Sequence, residues 1–456
     1  MTFPRYGSYK HSGVEWLGEV PQHWTVITLK HIVSNPITDG PHETPTFLED
    51  GVPFVSAEAV ATGVIDFSKI RAFISEEDHL RFSQKYRPQR GDIYMVKSGA
   101  TTGVTAIVDT DVEFNIWSPL AAIRCRAQAM PRFVLNFMRS KNFQNAVTLN
   151  WSFGTQQNIG MGVIENLAVA LPTTAEQSKI VTFLDHETAK VAALIAEQQR
   201  LIGLLKEKRQ SVVTRVVTKG LNPSVPMKES GIEWFGDVPQ HWSIKRLGSV
   251  SDVIQTGPFG SQLHSEDYVE DGTPVINPSN IQDGRIIPNW SCTVGHDVVE
   301  RLSQHKLEVG DIVFARRGEM GRCAKVSGKE AGWLCGTGSL NVRLNRSMVV
   351  EFVSTYLGTL YVCDLLKLES VGSTMDNLNT TILSRVPVPV PPLGEQSMIA
   401  AFLDRETAKL DALTAEAQSA IALLQERCTA LISAAVTGKI DVRGLTGVHT
   451  EEEAAE

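Results

Sequence analysis

Leu184, Val191, Gln198, Leu205 and Val212 recur at seven-residue spacing, and Leu403, Leu410, Ala417, Leu424 and Leu431 repeat the pattern. Further apolar residues stand three or four positions on, at Leu194, Ile195, Leu201 and Ile202 in the first stretch and at Leu413 and Ile421 in the second. Neither stretch contains Pro, whereas Pro172, Pro391 and Pro392 precede them. A 3.5-residue period held over this length predicts two long helices with a coiled-coil seam. The alternative is two separate amphipathic helices, each covering its own domain. Elsewhere the pattern shortens. Runs such as "GVPFVSAEAV", "DIYMVKSG", "TPVINPSNI" and "DIVFARRG", punctuated by Gly, Pro, Asn and Asp, predict strands and turns. Residues 131–147 and 348–366 have helical character between them, so the fold class is α+β.

The pattern is written twice. "SGVEWLGEVPQHW" (12–24) returns as "SGIEWFGDVPQHW" (230–242), "GDIYMVKSG" (91–99) as "GDIVFARRG" (310–318), and the helix from Glu176 aligns without a gap to that from Glu395. A tandem duplication follows. Each copy reads as tryptophan box, mixed domain, then long helix: 1–171 and 172–221, then 222–391 and 392–445, with an acidic tail over 446–456. The first helix leaves the first domain and enters the second, so at about 1.5 Å per residue it makes a strut of about 65 Å. If the second helix packs along it, the pair is antiparallel, separating the two domains. Each box then buttresses a helix end against a domain, with Trp16, Trp24, Trp234 and Trp242 as apolar anchors; plain core positions for these rings would serve the same end.

At 456 residues with 42% apolar content the chain suits several domains. Six cysteines without CxxC or CxxH spacing fit reduced thiols and a cytoplasmic setting rather than disulfides or zinc. No basic leader with an apolar core opens the chain, and no run approaches eighteen uninterrupted apolar residues, so neither secretion nor a membrane is expected. The net charge of −8 contains no basic block. Any contact with DNA would therefore use local Arg and Lys clusters, helped by a partner that supplies positive surface. Equipment for stand-alone catalysis is missing. "SGKE" and "TGKI" are not phosphate loops, "DHETAK" is not HExxH, and "NPSN" (277–280) lacks the aromatic that would stack on a flipped base.

The boxes, "GDIVFARRGEMG" and the "LP...EQ..I..FLD.ET.K" start of each helix resemble the specificity subunits of type I DNA restriction-modification systems, over nearly the whole chain. The resemblance implies two target recognition domains that each read half of a bipartite double-stranded DNA target. It implies helices whose length sets the unread spacer, two methyltransferase subunits docked on those helices, and room for two restriction subunits. The chain would need no cofactor of its own, with S-adenosylmethionine, ATP and Mg on the partners. A coiled-coil scaffold pairing two protein-binding domains is the competing reading, and a solitary nuclease or methyltransferase a third.

Candidate DNA contacts follow. Arg316, Arg317 and Arg322 form the densest basic cluster, on a Gly-rich turn, and suit guanine or phosphate. The first copy has Lys97, Ser98, Thr101 and Thr102 there, which suggests a different half-site or mainly phosphate positioning. The Gly/Pro loops 39–45 and 255–267 offer His42, Thr44, Ser261 and Gln262, a region near DNA in the resembling family. Thr155, Gln156, Gln157, Thr374 and Asp376 lie on turns before the last strand. Gln suits adenine and Asp suits cytosine there, with turn formation as the plainer role.

Overall fold

The computed structural model describes residues 3–153, 157–232, 235–259, 262–282, 284–318, 321–370 and 378–445. The chain folds as two compact units, one of Met1–Gln198 with Ser419–Glu456, the other of Gln199–Gln418. Helix α1 (Thr174–Lys219) contributes its first half to unit 1 and its second half to unit 2; helix α2 (Leu393–Val436) does the reverse.

Unit 1 holds a four-stranded antiparallel sheet in the order Thr38–Asp39, Leu120–Ile123, Ile93–Val96, Thr105–Ile107. Beside it, Val52–Val55 pairs antiparallel with Ala72–Ile74 and parallel with Asn115–Ile116. The first and last strands of the mixed domain, Thr25–Thr28 and Ala168–Leu171, pair antiparallel and lead the chain straight into α1. Unit 2 repeats this plan with other residues. Its sheet runs Ser251–Thr256, Ser339–Leu344, Ile312–Ala315, Cys323–Lys325, its parallel pair is Thr273–Ile276 with Leu334–Cys335, and Ser243–Arg246 closes on Pro387–Val390.

The Gly-Asp-Ile segment is shared because its aspartate is a buried junction. Arg124 grips Asp92 through Nε and Nη2, both at 2.7 Å, and Arg343 grips Asp311 in the same two-pronged way at 2.8 and 2.9 Å. Tyr86 adds a donor to Asp92, and Asn341 adds one to Asp311. Removing either partner would strand a buried charge. The preceding glycines, Gly91 and Gly310, both have φ of 91°, which a side chain would strain.

The expected seam is present but narrow. Leu184, Val191, Leu205, Leu403, Leu410, Ala417 and Leu431 are buried, while Leu194, Leu201 and Leu413 lie exposed. A two-helix contact covers a thinner stripe than the one these last residues extend. In unit 1, Ile180, Val181, Phe183 and Leu184 of α1 share a core with Leu431, Ala435 and Val436 of α2. In unit 2, Val213, Val216 and Val217 of α1 share one with Ile399 and Leu403 of α2, and Arg209 pairs with Asp411 at 3.2 Å. Within each unit the start of one long helix thus meets the end of the other, the pairing of antiparallel helices.

The tryptophan box closes that junction. Its hairpin, Tyr9–His11 with Glu19–Pro21, delivers Trp24 fully buried into the core. Trp24 Nε1 donates to Glu176 Oε1 at 3.1 Å, Tyr6 donates to the same oxygen at 2.7 Å, and His23 Nε2 lies 2.8 Å from Oε2. Burial and then Glu176 push the Tyr6 phenol up, which keeps it a donor. The end of α2 completes the joint: Tyr9 donates to the Gly438 carbonyl, and a Cβ on Gly438 would strike Pro21 at 2.3 Å. In unit 2 the hairpin Met227–Glu229 with Asp237–Pro239 brings Trp242 and His241 to Glu395 at 3.1 and 2.8 Å, with Gly220 at the end of α1 against the Trp242 ring. No tyrosine stands at the place of Tyr6. Trp16 is half-buried, and Trp234 lies outside the described residues. The neighbouring glutamine is equally fixed. Gln177 accepts from Met130 N and donates to the Gln128 and Pro172 carbonyls; Gln396 accepts from Val349 N and donates to the Ser347 and Pro391 carbonyls.

Glu176→Ala should therefore destabilise unit 1 by about 3 kcal/mol, since buried donors lose their acceptor. Glu395→Ala, with two donors and partial exposure, should cost about half as much. Hydrogen exchange resolved by segment checks this, and equal losses would contradict it.

Candidate nucleic-acid interface

Both four-stranded sheets end in the same construction. The hairpin between Ile93–Val96 and Thr105–Ile107 carries the loop 97–104, and that between Ile312–Ala315 and Cys323–Lys325 carries the loop 316–322. Register defines further equivalences. Ala121 stands opposite Met95 on one side and Asp39 on the other, just as Leu340 stands opposite Phe314 and Thr256. Asp39 and Thr256 are therefore counterparts, as are Lys97 and Arg316, and, two residues after a Gly-Pro step begins, His42 and Phe259. The glycine of that step admits no side chain. A Cβ on Gly40 would lie 1.9 Å from the Ile116 carbonyl oxygen, and one on Gly257 would lie 1.9 Å from that of Gly336.

The chemistry at these counterpart positions differs. In unit 1, buried Asp39 receives Lys97 and Lys85, each at 2.6 Å, and His42 Nε2 at 3.1 Å. Burial alone would push the Asp39 carboxyl up, but the hydrogen bonds from Lys85 and Lys97 outweigh it and hold the group below the usual carboxylate range. Lys97 is thereby committed to an internal acid, with 13% of its side chain exposed. In unit 2 the place of the acid is taken by Thr256. Arg316 is half-buried and donates to two carbonyls, Leu378 O at 3.1 Å and Thr337 O at 3.5 Å. Burial and then the Arg317 charge lower its pKa, yet among the described residues no carboxylate neutralises it.

The remaining expected contacts fall into four groups. Thr44, Gln157 and Arg317 are exposed, as is His42. Ser98, Thr101, Gln262 and Arg322 are half-buried, and Ser98 bridges through its backbone to Asn158. Thr102 is buried, and its hydroxyl donates to the Gly99 carbonyl at 2.7 Å, which closes the loop from inside. The Gln262 side-chain oxygen accepts from Phe259 N at 3.1 Å, so this amide is committed to the neighbouring backbone. Thr155, Gln156, Ser261, Thr374 and Asp376 lie outside the described residues. Asp39, Lys85 and Phe259 were not among the expected residues. The signal for Asp39 was present in the Asp-Gly-Pro string, but the partners that define its role come from 46 and 58 residues away.

Comparison with known proteins is consistent with this twofold plan. The model of the type I restriction modification DNA specificity domain matches residues 21–202 and again 239–422. The EcoKI specificity subunit of Escherichia coli (strain K12) is 20% identical over 439 residues, covering 93% of this chain and 90% of that protein. The MjaVIII specificity subunit of Methanocaldococcus jannaschii is 24% identical over 313 residues, covering 66% and 70%. A solved chain from work on complex assembly and conformational transition of the type I R-M system matches with a TM-score of 0.67 at 20% identity, over 91% of this chain and 98% of that one. At that identity the likeness is one of fold. Matched twice over most of its length by the family model, the chain belongs to the type I restriction modification DNA specificity family and carries two such domains in tandem.

Proposed function

We propose that this chain is the DNA sequence-specificity subunit of a type I restriction-modification complex, each unit reading one half of a bipartite target. The observation that carries the reading is a duplicated frame with unlike tips. Helix junction, Gly-Asp-Ile ion pair and sheet order are kept, while Asp39, His42 and Lys97 are replaced by Thr256, Phe259 and Arg316. Matching frames suit two identical protein partners, and differing tips suit two different half-sites. The chain itself performs no catalysis on this reading. Two methyltransferase subunits, holding S-adenosylmethionine, dock on the long helices, and ATP and Mg belong to restriction subunits where these join. Exposed Leu194, Leu201 and Leu204 on α1 and Leu413 and Leu423 on α2 support a docking role.

Two outcomes are expected. Replacing Arg316 and Arg317 together by Ala should relax or abolish recognition of one half-site in the methylated positions of genomic DNA, and leave co-purification with the methyltransferase intact. Two lost phosphate contacts would also reduce the slope of log affinity against log salt by roughly 2. Unchanged methylation sites and slope would remove both arginines from the interface. Inserting four residues near Gln198, about 6 Å of added rise and a stutter in the seven-residue repeat, should change the spacer between half-sites or end methylation at the original spacing; an unaltered target would contradict a helical spacer. Absence of any DNA protection by the complete complex would favour a protein scaffold instead.

A further inference from the structure

We propose that Phe259 is a base-reading residue of unit 2, its ring making apolar contact with the 5-methyl group of one thymine in the half-site which that unit reads; the inference rests on the function proposed above. A lone exposed apolar residue needs no explanation on most surfaces, so the argument lies in how this one is held. Its ring is 64% exposed, and among the described residues it stacks on no other ring and under no cation. The Phe259 backbone is held from both sides. Gln262 accepts from Phe259 N through its side chain and donates its own backbone N–H to Phe259 O at 2.8 Å, while two residues earlier Gly257 is pressed against the Gly336 carbonyl. The backbone N–H of Gly257 donates to Ser339 O, and that of Arg316 to Gly338 O. Phe259 therefore projects from the same sheet end as the Arg316 guanidinium, which no carboxylate among the described residues neutralises, one strand to either side of Ser339–Leu344.

Chemistry then selects the ligand. A phenyl ring offers no donor for a base edge, and the thymine methyl is the one apolar feature that the major groove displays. Unit 1 presents His42 at the counterpart position, 71% exposed and tethered to Asp39, which suits a polar base edge or phosphate instead. The same backbone position would thus read apolar in one half-site and polar in the other, which makes it a specificity-determining position.

The test uses the complete complex with its methyltransferase subunits and the bipartite sites it methylates. Duplexes are made in which each thymine is replaced, one at a time, by deoxyuridine, which removes only the methyl group. In the half-site that responds to Arg316 and Arg317, one replacement should slow methylation by the unaltered complex roughly three- to tenfold, the scale of one buried methyl. Phe259→Ala should show less than a twofold response at that thymine, Phe259→Leu should retain most of it, and neither variant should change responses in the other half-site. Phe259→Ala should melt with the unaltered protein, because its ring leaves no cavity. A half-site without thymine on either strand overturns the inference, as does an equal deoxyuridine response in the unaltered and Phe259→Ala complexes. So does a loss of affinity on Phe259→Ala that no single methyl explains, which would mark a wedge between base pairs. If the unaltered complex methylates no bipartite site, the proposed function itself has failed.

Discussion

A carboxylate at the first turn of each long helix carries the joint on which the two units are built. Glu176 and Glu395 sit where the unpaired N–H groups and the helix dipole favour negative charge. They are also withdrawn from water by the tryptophan box, so their stability depends on the donors the box brings. Trp24 and Trp242 supply an N–H and the largest buried rings together, which couples hydrogen bonding to apolar burial in one side chain. The end of the opposite helix then packs on the box through Gly438, where a Cβ would strike Pro21, or through Gly220, where a Cβ would lie 3.2 Å from the indole. A single cluster thereby binds a domain's entry strand, the beginning of one helix and the end of the other.

That joint explains why sequence is retained in some places and lost in others. Positions that satisfy buried charges or buried backbone groups have few substitutes: Glu176 and Glu395, Gln177 and Gln396, Asp92 with Arg124, Asp311 with Arg343. Each would leave unpaired partners behind if changed alone. The sheets between them demand only apolar residues of suitable size in the right register, so their sequences drift while the strand order persists. The tips share no common demand of this kind: a buried charge, Asp39, is satisfied by Lys85 and Lys97 in unit 1, where unit 2 has Thr256. The loop after Ile93–Val96 and the loop after Ile312–Ala315 occupy one place in the fold and share almost no side-chain chemistry.

The long helices and the duplication were legible in the sequence because their signals are local and periodic. Leu403, Leu410 and Leu431 stand at their expected spacing and are buried, whereas Leu194, Leu201 and Leu413 show that periodicity overstates the width of a two-helix seam. The site was less legible. Lys97 reads as a free cation beside glycines, but strand pairing sets it against an acid 58 residues earlier. Gln262 reads as a loop amide available to DNA, and is spent on the Phe259 backbone. Both cases turn on register between strands distant in sequence, which spacing along the chain does not encode.

The tips also differ in electrostatic strategy. Unit 1 sets two lysines against one buried carboxylate, so Lys97 is paired inside the fold and the positive charge the cluster retains sits at its exposed lysine, Lys85. Unit 2 puts a threonine where that acid stands and, among the described residues, gives Arg316 carbonyl dipoles only, which orient the guanidinium without cancelling its charge. Arg317 adds a second charge beside it. An acidic chain of net charge −8 gains little non-specific attraction for a duplex from such a pair. On the function proposed above, general affinity comes from a partner's surface, and the chain's contribution is placement: unit 2 through a local cation and an exposed ring, unit 1 through hydrogen-bonding groups held by Asp39.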